Sequence, residues 1–203
     1  EIGGTSPRRE APVSRSALGG LLVAALLISL LLGVGFGSVP VPTGDVLSVL
    51  SGGGTDVQRD IVMNLRLPRV LLGMLVGGSL ALAWATFQAL LRNPLAEPYI
   101  LGISGGASLG AVSVIALGLV SASSWALPLA AFAGALLAIW LVFRVATATG
   151  RAMDVRVLLL AGVVIAAFFS ACIAFILSIS PARTVQTAVQ WSMGSLAGAS
   201  WGS

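Results

Sequence analysis

Long apolar runs alternate with short polar, proline-bearing segments along the whole chain, and the runs exceed the strands and core helices of an ordinary soluble domain. From Ser16 to Phe36 there is no charged residue. A helix crossing a hydrocarbon core needs roughly 20 apolar residues, so this stretch predicts a first span. It is longer than the roughly 7 to 15 residue core of a signal peptide and no small-residue cleavage site follows it, so the span is expected to be retained. Residues 37–69 contain Pro40, Pro42, the run Ser51-Gly52-Gly53-Gly54 and the charges Asp56, Arg59, Asp60, Arg66 and Arg69, which predict an aqueous loop. Further spans are predicted at about 70–91, 99–120, 125–143 and 157–179, with a sixth begun near Ala188. The breaks between them are Arg92-Asn93-Pro94 with Pro98 opening the next helix, the bend at 121–124, the charged connection 144–156 and Ser180-Pro181. The predicted fold class is all-α, a polytopic transmembrane helix bundle. Its domain runs from residue 16 to 203 behind a polar tail of residues 1–15.

Composition narrows the chemistry. Hydrophobic residues make up 57% of the 203 residues and charged residues 9%, against about 25% charged in a soluble domain. All eleven basic residues are Arg, and the chain holds no His and no Lys. That removes Ser-His and Cys-His nucleophiles, His metal sites, Walker-type phosphate loops and Ser-Lys dyads. Catalysis, a bound metal and a cofactor are not expected, and ATP hydrolysis would have to come from another subunit. Cys172 is the single cysteine and lies in an apolar run, where it reads as a small buried hydrophobe.

Helices in lipid associate through small residues and a few hydrogen bonds. Gly73, Gly77, Ala81, Ala85 and Ala89 recur at i, i+4 in the second span. Gly102, Gly106 and Gly110 do so in the third, and Gly162, Ala166, Ser170, Ala174 and Ser178 in the fifth. These ridges predict close helix contact. Ser170 and Ser178 could line a polar path or simply bond their own helix backbone. Gln88 and Asn93 flank the turn after the second span and are expected to tie it down. No charge lies deep within a span, which disfavours an ion-coupled secondary transporter or channel built on buried carboxylates. An intramembrane enzyme is disfavoured by the missing His and Lys.

The arginines also orient the chain. With the N-terminus inside, Arg8, Arg9, Arg15, Arg92, Arg144, Arg151 and Arg156 fall on the cytoplasmic side, and Arg59, Arg66, Arg69 and Arg183 outside. Cytoplasmic loops carry the excess of positive residues, so an N-terminus in the cytoplasm is expected. The net charge of +4 suits this bias better than nucleic-acid binding.

Residues 66–111 carry Arg66-Leu-Pro-Arg69, Gln88, Arg92-Asn93-Pro94-Leu95-Ala96 with Pro98, Leu101-Gly102 and Gly105-Gly106-Ala107 followed by Gly110-Ala111. This combination resembles the FecCD-type permeases of binding-protein-dependent ABC importers for ferric siderophores, haem and vitamin B12. Weaker likeness continues through Leu158–Gly162 and Trp191–Ser195. The resemblance implies a type II importer permease in the bacterial plasma (inner) membrane, working as a homodimer with ABC ATPase subunits and a periplasmic or extracellular substrate-binding protein. It implies alternating access along the dimer axis, and it implies that Arg66 and Arg69 look outward to meet glutamates of the binding protein. Without it, the two arginines read as interfacial anchors. The resemblance further implies a longer chain, of which this would be an N-terminal part, and a glycine where Trp84 stands. A tryptophan there is expected to overfill the second span's small-residue groove.

Overall fold

The computed structural model describes residues 14–94, 97–122, 125–148 and 155–201. The expectations placed on residues 1–13, on Leu95 and Ala96, on the bend at 123–124 and on Arg151 and Asp154 lie outside them. Among the described residues every regular element is helical. The chain divides into two compact units, Glu1–Leu75 with Leu196–Ser203, and Val76–Ser195.

In the first unit α1 (Arg15–Gly35) is built of Leu, Ala, Ile, Val and Gly with no proline inside it. Phe36 leaves the helix with extended backbone. The expected aqueous loop at 37–69 is instead mostly helical. α2 (Thr43–Leu50) follows Pro42, whose ring suits a helix start. Thr55 then opens α3 (Asp56–Arg59) through a reciprocal capping box with Gln58: Gln58 N–H donates to Thr55 Oγ1 and Thr55 N–H to Gln58 Oε1. Gln58 Nε2 also donates to Asp45 Oδ2 at 2.9 Å, fastening α3 to α2.

A π-helical segment, Asp60–Arg66, continues α3 into α4 (Leu67–Leu91), so one helix of 36 residues runs from Asp56 to Leu91. Charges and Pro68 had suggested that the span starts only after the proline. The wider register explains why it does not: Leu67 N–H reaches back to Val62 O, and Pro68, next in that register, has no N–H to give. The helix passes the proline with a single missing donor. Val34, Val41, Val46, Val49 and Val62 form the buried core of this unit.

In the second unit the 3-10 turn Pro98–Leu101 and Gly102, at φ 72°, lead into α5 (Ile103–Ala116). This helix is shorter than the expected span at 99–120. Its 14 residues rise about 21 Å, short of a 30 Å hydrocarbon core. α6 (Ala126–Thr147) and α7 (Val155–Ser178) are long and apolar enough to cross a membrane, as are α1 and the Asp56–Leu91 helix. Phe87, Leu101, Val142, Leu158, Ile165 and Phe169 are the larger members of the main core cluster. α8 (Ala182–Ser192) corrects the sixth-span expectation: it holds 11 residues and gives way to turns at Met193 and beyond, with Gly194 at φ 73°. Arg183, Gln186, Thr187 and Gln190 occupy its polar positions, and Ala188 is buried with Val112 and Ile115. A short helix with one apolar side settles on a neighbour rather than spanning.

Candidate docking rim and helix turn

Arg66 and Arg69 have different surroundings. Arg66 is 9% exposed, and its Nη1 donates to Val34 O and Gly35 O, both at 2.8 Å, while Nη2 donates to Val39 O. Val34 and Gly35 close α1, where carbonyls lack helical partners and the helix dipole is negative. A distant guanidinium thus caps α1 and holds the segment after it. A Cβ added to Gly37 would lie 2.7 Å from Arg66 Nη2, so glycine leaves room for the clamp. The outward docking role expected of Arg66 is therefore corrected: its donors point into the protein. Gly33, four residues before Gly37, faces α4 at Val70.

Arg69 is exposed. Its Nη2 donates to Ala197 O at 2.9 Å, and nearby Trp201 Nε1 donates to Met63 O at 2.8 Å. A cleft of about 200 Å³ beside the two arginines is lined in part by Phe36, Val39, Ile61 and Leu65. Its apolar walls and one accessible cation could receive an acidic side chain.

The turn after α4 is a Schellman motif. Arg92 N–H bonds Ala89 O, Asn93 N–H bonds Gln88 O, and Arg92 sits in the left-handed region at φ 49°. Pro94 follows, and Gln88 Nε2 donates to its carbonyl at 2.8 Å, stapling the turn to the helix it ends. Pro98 opens the 3-10 turn beyond.

The small-residue ridges are used unequally. A Cβ on Gly106 would lie 2.3 Å from Gly134 O, one on Gly110 2.1 Å from Ala130 O, and one on Gly134 2.1 Å from Gly106 O. α5 and α6 therefore touch backbone to backbone, through an Ala130/Gly134/Ala138 row that the sequence shows but reasoning passed over. Gly102 packs on α7, 3.2 Å from Gly162 O and Ala166 N by the same measure. Gly73 meets Leu196 Cδ1, whereas Gly77, expected to pack, has nothing within 4 Å. Trp84 is 41% exposed and overfills no groove, contrary to expectation.

Ser170 donates to Ala166 O at 3.0 Å and Ser178 to Phe175 O at 2.7 Å, each within α7 and each exposed. Neither borders the two cavities between α5 and α7, of about 390 and 520 Å³, which share Ser113 and Ile176. Ser113 also bonds its own helix, at Leu109 O. No group of His, Cys, Asp and Glu able to hold a metal occurs among the described residues.

A multi-pass, charge-poor helix bundle with backbone-close packing defines an integral membrane protein. Residues 25–203 match the FecCD transport family, and the chain belongs to it. It is 40% identical over 189 residues to the achromobactin transport system permease protein of Dickeya dadantii, covering 93% of this chain and 53% of that protein. It is 37% identical over 180 residues to the vitamin B12 import system permease protein of Klebsiella pneumoniae, covering 89% and 51%. An uncharacterized ABC transporter permease protein of Bacillus subtilis is 38% identical over 186 residues, covering 87% and 52%. The chain thus spans about half the length of these relatives. A solved structure described as an inward-facing conformation of a metal-chelate type ABC transporter superposes with a TM-score of 0.75 at 28% identity, covering 93% of this chain and 56% of that one.

Proposed function

We propose that the chain serves in the translocation pathway of an ABC importer for an iron-siderophore, haem or cobalamin, as a permease subunit that works by alternating access. The family match over residues 25–203 carries this reading. ATP-hydrolysing subunits supply the energy, a substrate-binding protein delivers the cargo, and two permease subunits share the path. Arg69 meets an acidic residue of the binding protein on the outer side. The protein lies in the plasma (inner) membrane with its N-terminus in the cytoplasm.

Deleting the gene in its native host and measuring uptake of a ferric siderophore, haem and cobalamin tests the assignment. Loss of one uptake, restored by the gene, is expected; unchanged uptake of all three refutes it. Orientation is tested in a Cys172→Ala background by labelling Ser14→Cys and Ser51→Cys with a membrane-impermeant thiol reagent in intact cells. Labelling of position 51 and not of 14 is expected, and the reverse pattern inverts the topology.

A further inference from the structure

α6 ends on two unmatched hydrogen-bond donors at the depth where a lipid carries its phosphate. Its 22 residues rise about 33 Å, close to the thickness of a hydrocarbon core, so its last turn stands at the boundary with the headgroups. Trp140 and Arg144 lie one turn apart there, with Arg144 Cζ 5.9 Å from the centre of the Trp140 ring. Helical side chains lean toward the N-terminus of their helix, so the guanidinium reaches back over the preceding turn, toward the apolar side, instead of out into water. Both residues are exposed, and among the described residues neither the guanidinium nor the indole N–H has a hydrogen-bond acceptor. Tryptophan is enriched at this depth because its ring is apolar and its N–H is not.

The rest of the helix sets what can approach this pair. Leu129, Phe132 and Leu136 are exposed and, with Trp140, follow at steps of three and four residues, so they form one apolar stripe beneath the donors. From Leu129 to Trp140 the stripe covers about 16 Å, half of the hydrocarbon core. The Gly106–Gly134 and Gly110–Ala130 contacts set α5 antiparallel to α6, which brings the turn with Arg92 and Glu97 to this end, and α7 begins there with Arg156. The exposed charges described at this end are therefore Arg92, Arg144 and Arg156 against Glu97, a cationic surplus. A phosphodiester offers the paired oxygens that a guanidinium binds as a charge-assisted fork, and basic clusters at a membrane surface favour anionic headgroups over zwitterionic ones. We propose that the Trp140–Arg144 end of α6 binds the headgroup of an anionic phospholipid whose acyl chains lie along Leu129, Phe132 and Leu136. This binding requires only that α6 crosses the membrane, whatever the cargo and whichever way the chain is oriented.

The test is native mass spectrometry of the full chain in detergent micelles with dioleoyl phosphatidylglycerol or dioleoyl phosphatidylcholine, which share acyl chains and differ in headgroup charge. Phosphatidylglycerol is expected to bind about fivefold more tightly, and Arg144→Ala to remove that preference. Trp140→Phe keeps a ring under the guanidinium but not the N–H donor, and is expected to weaken phosphatidylglycerol binding about threefold. Arg183→Ala removes the same charge from the opposite end of the unit and is expected to leave the preference intact. Phosphatidylcholine, which reads the apolar stripe alone, is expected to bind every variant equally. No preference in the unmodified chain, a preference kept in Arg144→Ala, or one lost equally in Arg183→Ala overturns the site. Loss of phosphatidylcholine binding in Arg144→Ala would show that this arginine shapes the fold and not the headgroup contact, which also overturns it. Unchanged phosphatidylglycerol binding in Trp140→Phe overturns the part given to the indole. Displacement of the lipid by inorganic phosphate would make a soluble anion the occupant, and a dimer dissolved by Arg144→Ala would give the face to a second copy; either result overturns the lipid assignment.

Discussion

Arg66→Ala is expected to be among the most damaging single substitutions in the first unit, although the sequence places this arginine in a polar stretch. Two of its three hydrogen bonds, to Val34 O and Gly35 O, are buried. Bonds from a charged donor contribute about 1.5–3 kcal/mol each, giving roughly 3–6 kcal/mol for the two. Removing the charge also recovers part of its desolvation cost, which trims the net loss to about 3 kcal/mol. For a chain of this size that corresponds to a fall in Tm of about 6–12 °C, readable by thermal unfolding in detergent. Arg69→Ala, at an exposed site, should cost less than about 1 kcal/mol. Gly37→Ala supplies the decisive cycle, because its Cβ would stand 2.7 Å from Nη2 and 2.9 Å from Cζ of Arg66. Alone it should destabilise by displacing the guanidinium; in the Arg66→Ala background it should cost almost nothing, a coupling of about 1–2 kcal/mol. Strict additivity of the two, or an Arg66→Ala loss no larger than that of Arg69→Ala, would refute the clamp.

Gly106→Ala should lower Tm, since its Cβ meets the Gly134 carbonyl and overpacking costs about 1–3 kcal/mol. Gly77→Ala, with nothing within 4 Å, should be neutral or raise helix stability by up to about 1 kcal/mol. Arg92→Gly should stabilise by roughly 0.5–1 kcal/mol, because glycine adopts φ 49° without strain, less a few tenths for the lost charge at a helix C-terminus; a fall in Tm would refute the strain argument. Trp84→Gly should lower thermal stability by about 0.5 kcal/mol through helix propensity alone, and a clear rise would mean that the indole is crowded after all.

Apolar run length made α1, α6 and α7 legible, because nothing in those stretches competes with a helix. The Gln88 staple was legible too, since an amide beside a helix end has few other partners. Residues 37–69 were misread because charge and proline content report solvent and missing donors, whereas a capping box and one wide turn decide the backbone there. The Thr55-x-x-Gln58 spacing was the available signal. The Arg66/Arg69 pair illustrates a deeper limit: spacing says that two arginines are near each other, but not that the last carbonyls of α1 lie within reach of one of them. The sixth span failed for a simpler reason, as the apolar residues after Ala188 are interrupted by Gly194 in a left-handed turn.

The contact of α5 with α6 has a mechanical meaning. Where Gly106 meets Gly134 carbonyl to backbone, no side chain stands between the helices to change rotamer. Switching between two discrete packings requires side chains that can fit in two ways. A seam of bare backbone has one fit only and behaves as a weld. Movement in this part of the molecule must then be borne where α5 meets α7, across Phe169 and the cavities that share Ser113 and Ile176. Under the permease role proposed above, spin labels on α5 and α6 should keep a constant separation through the cycle, with α7 changing its distance to both.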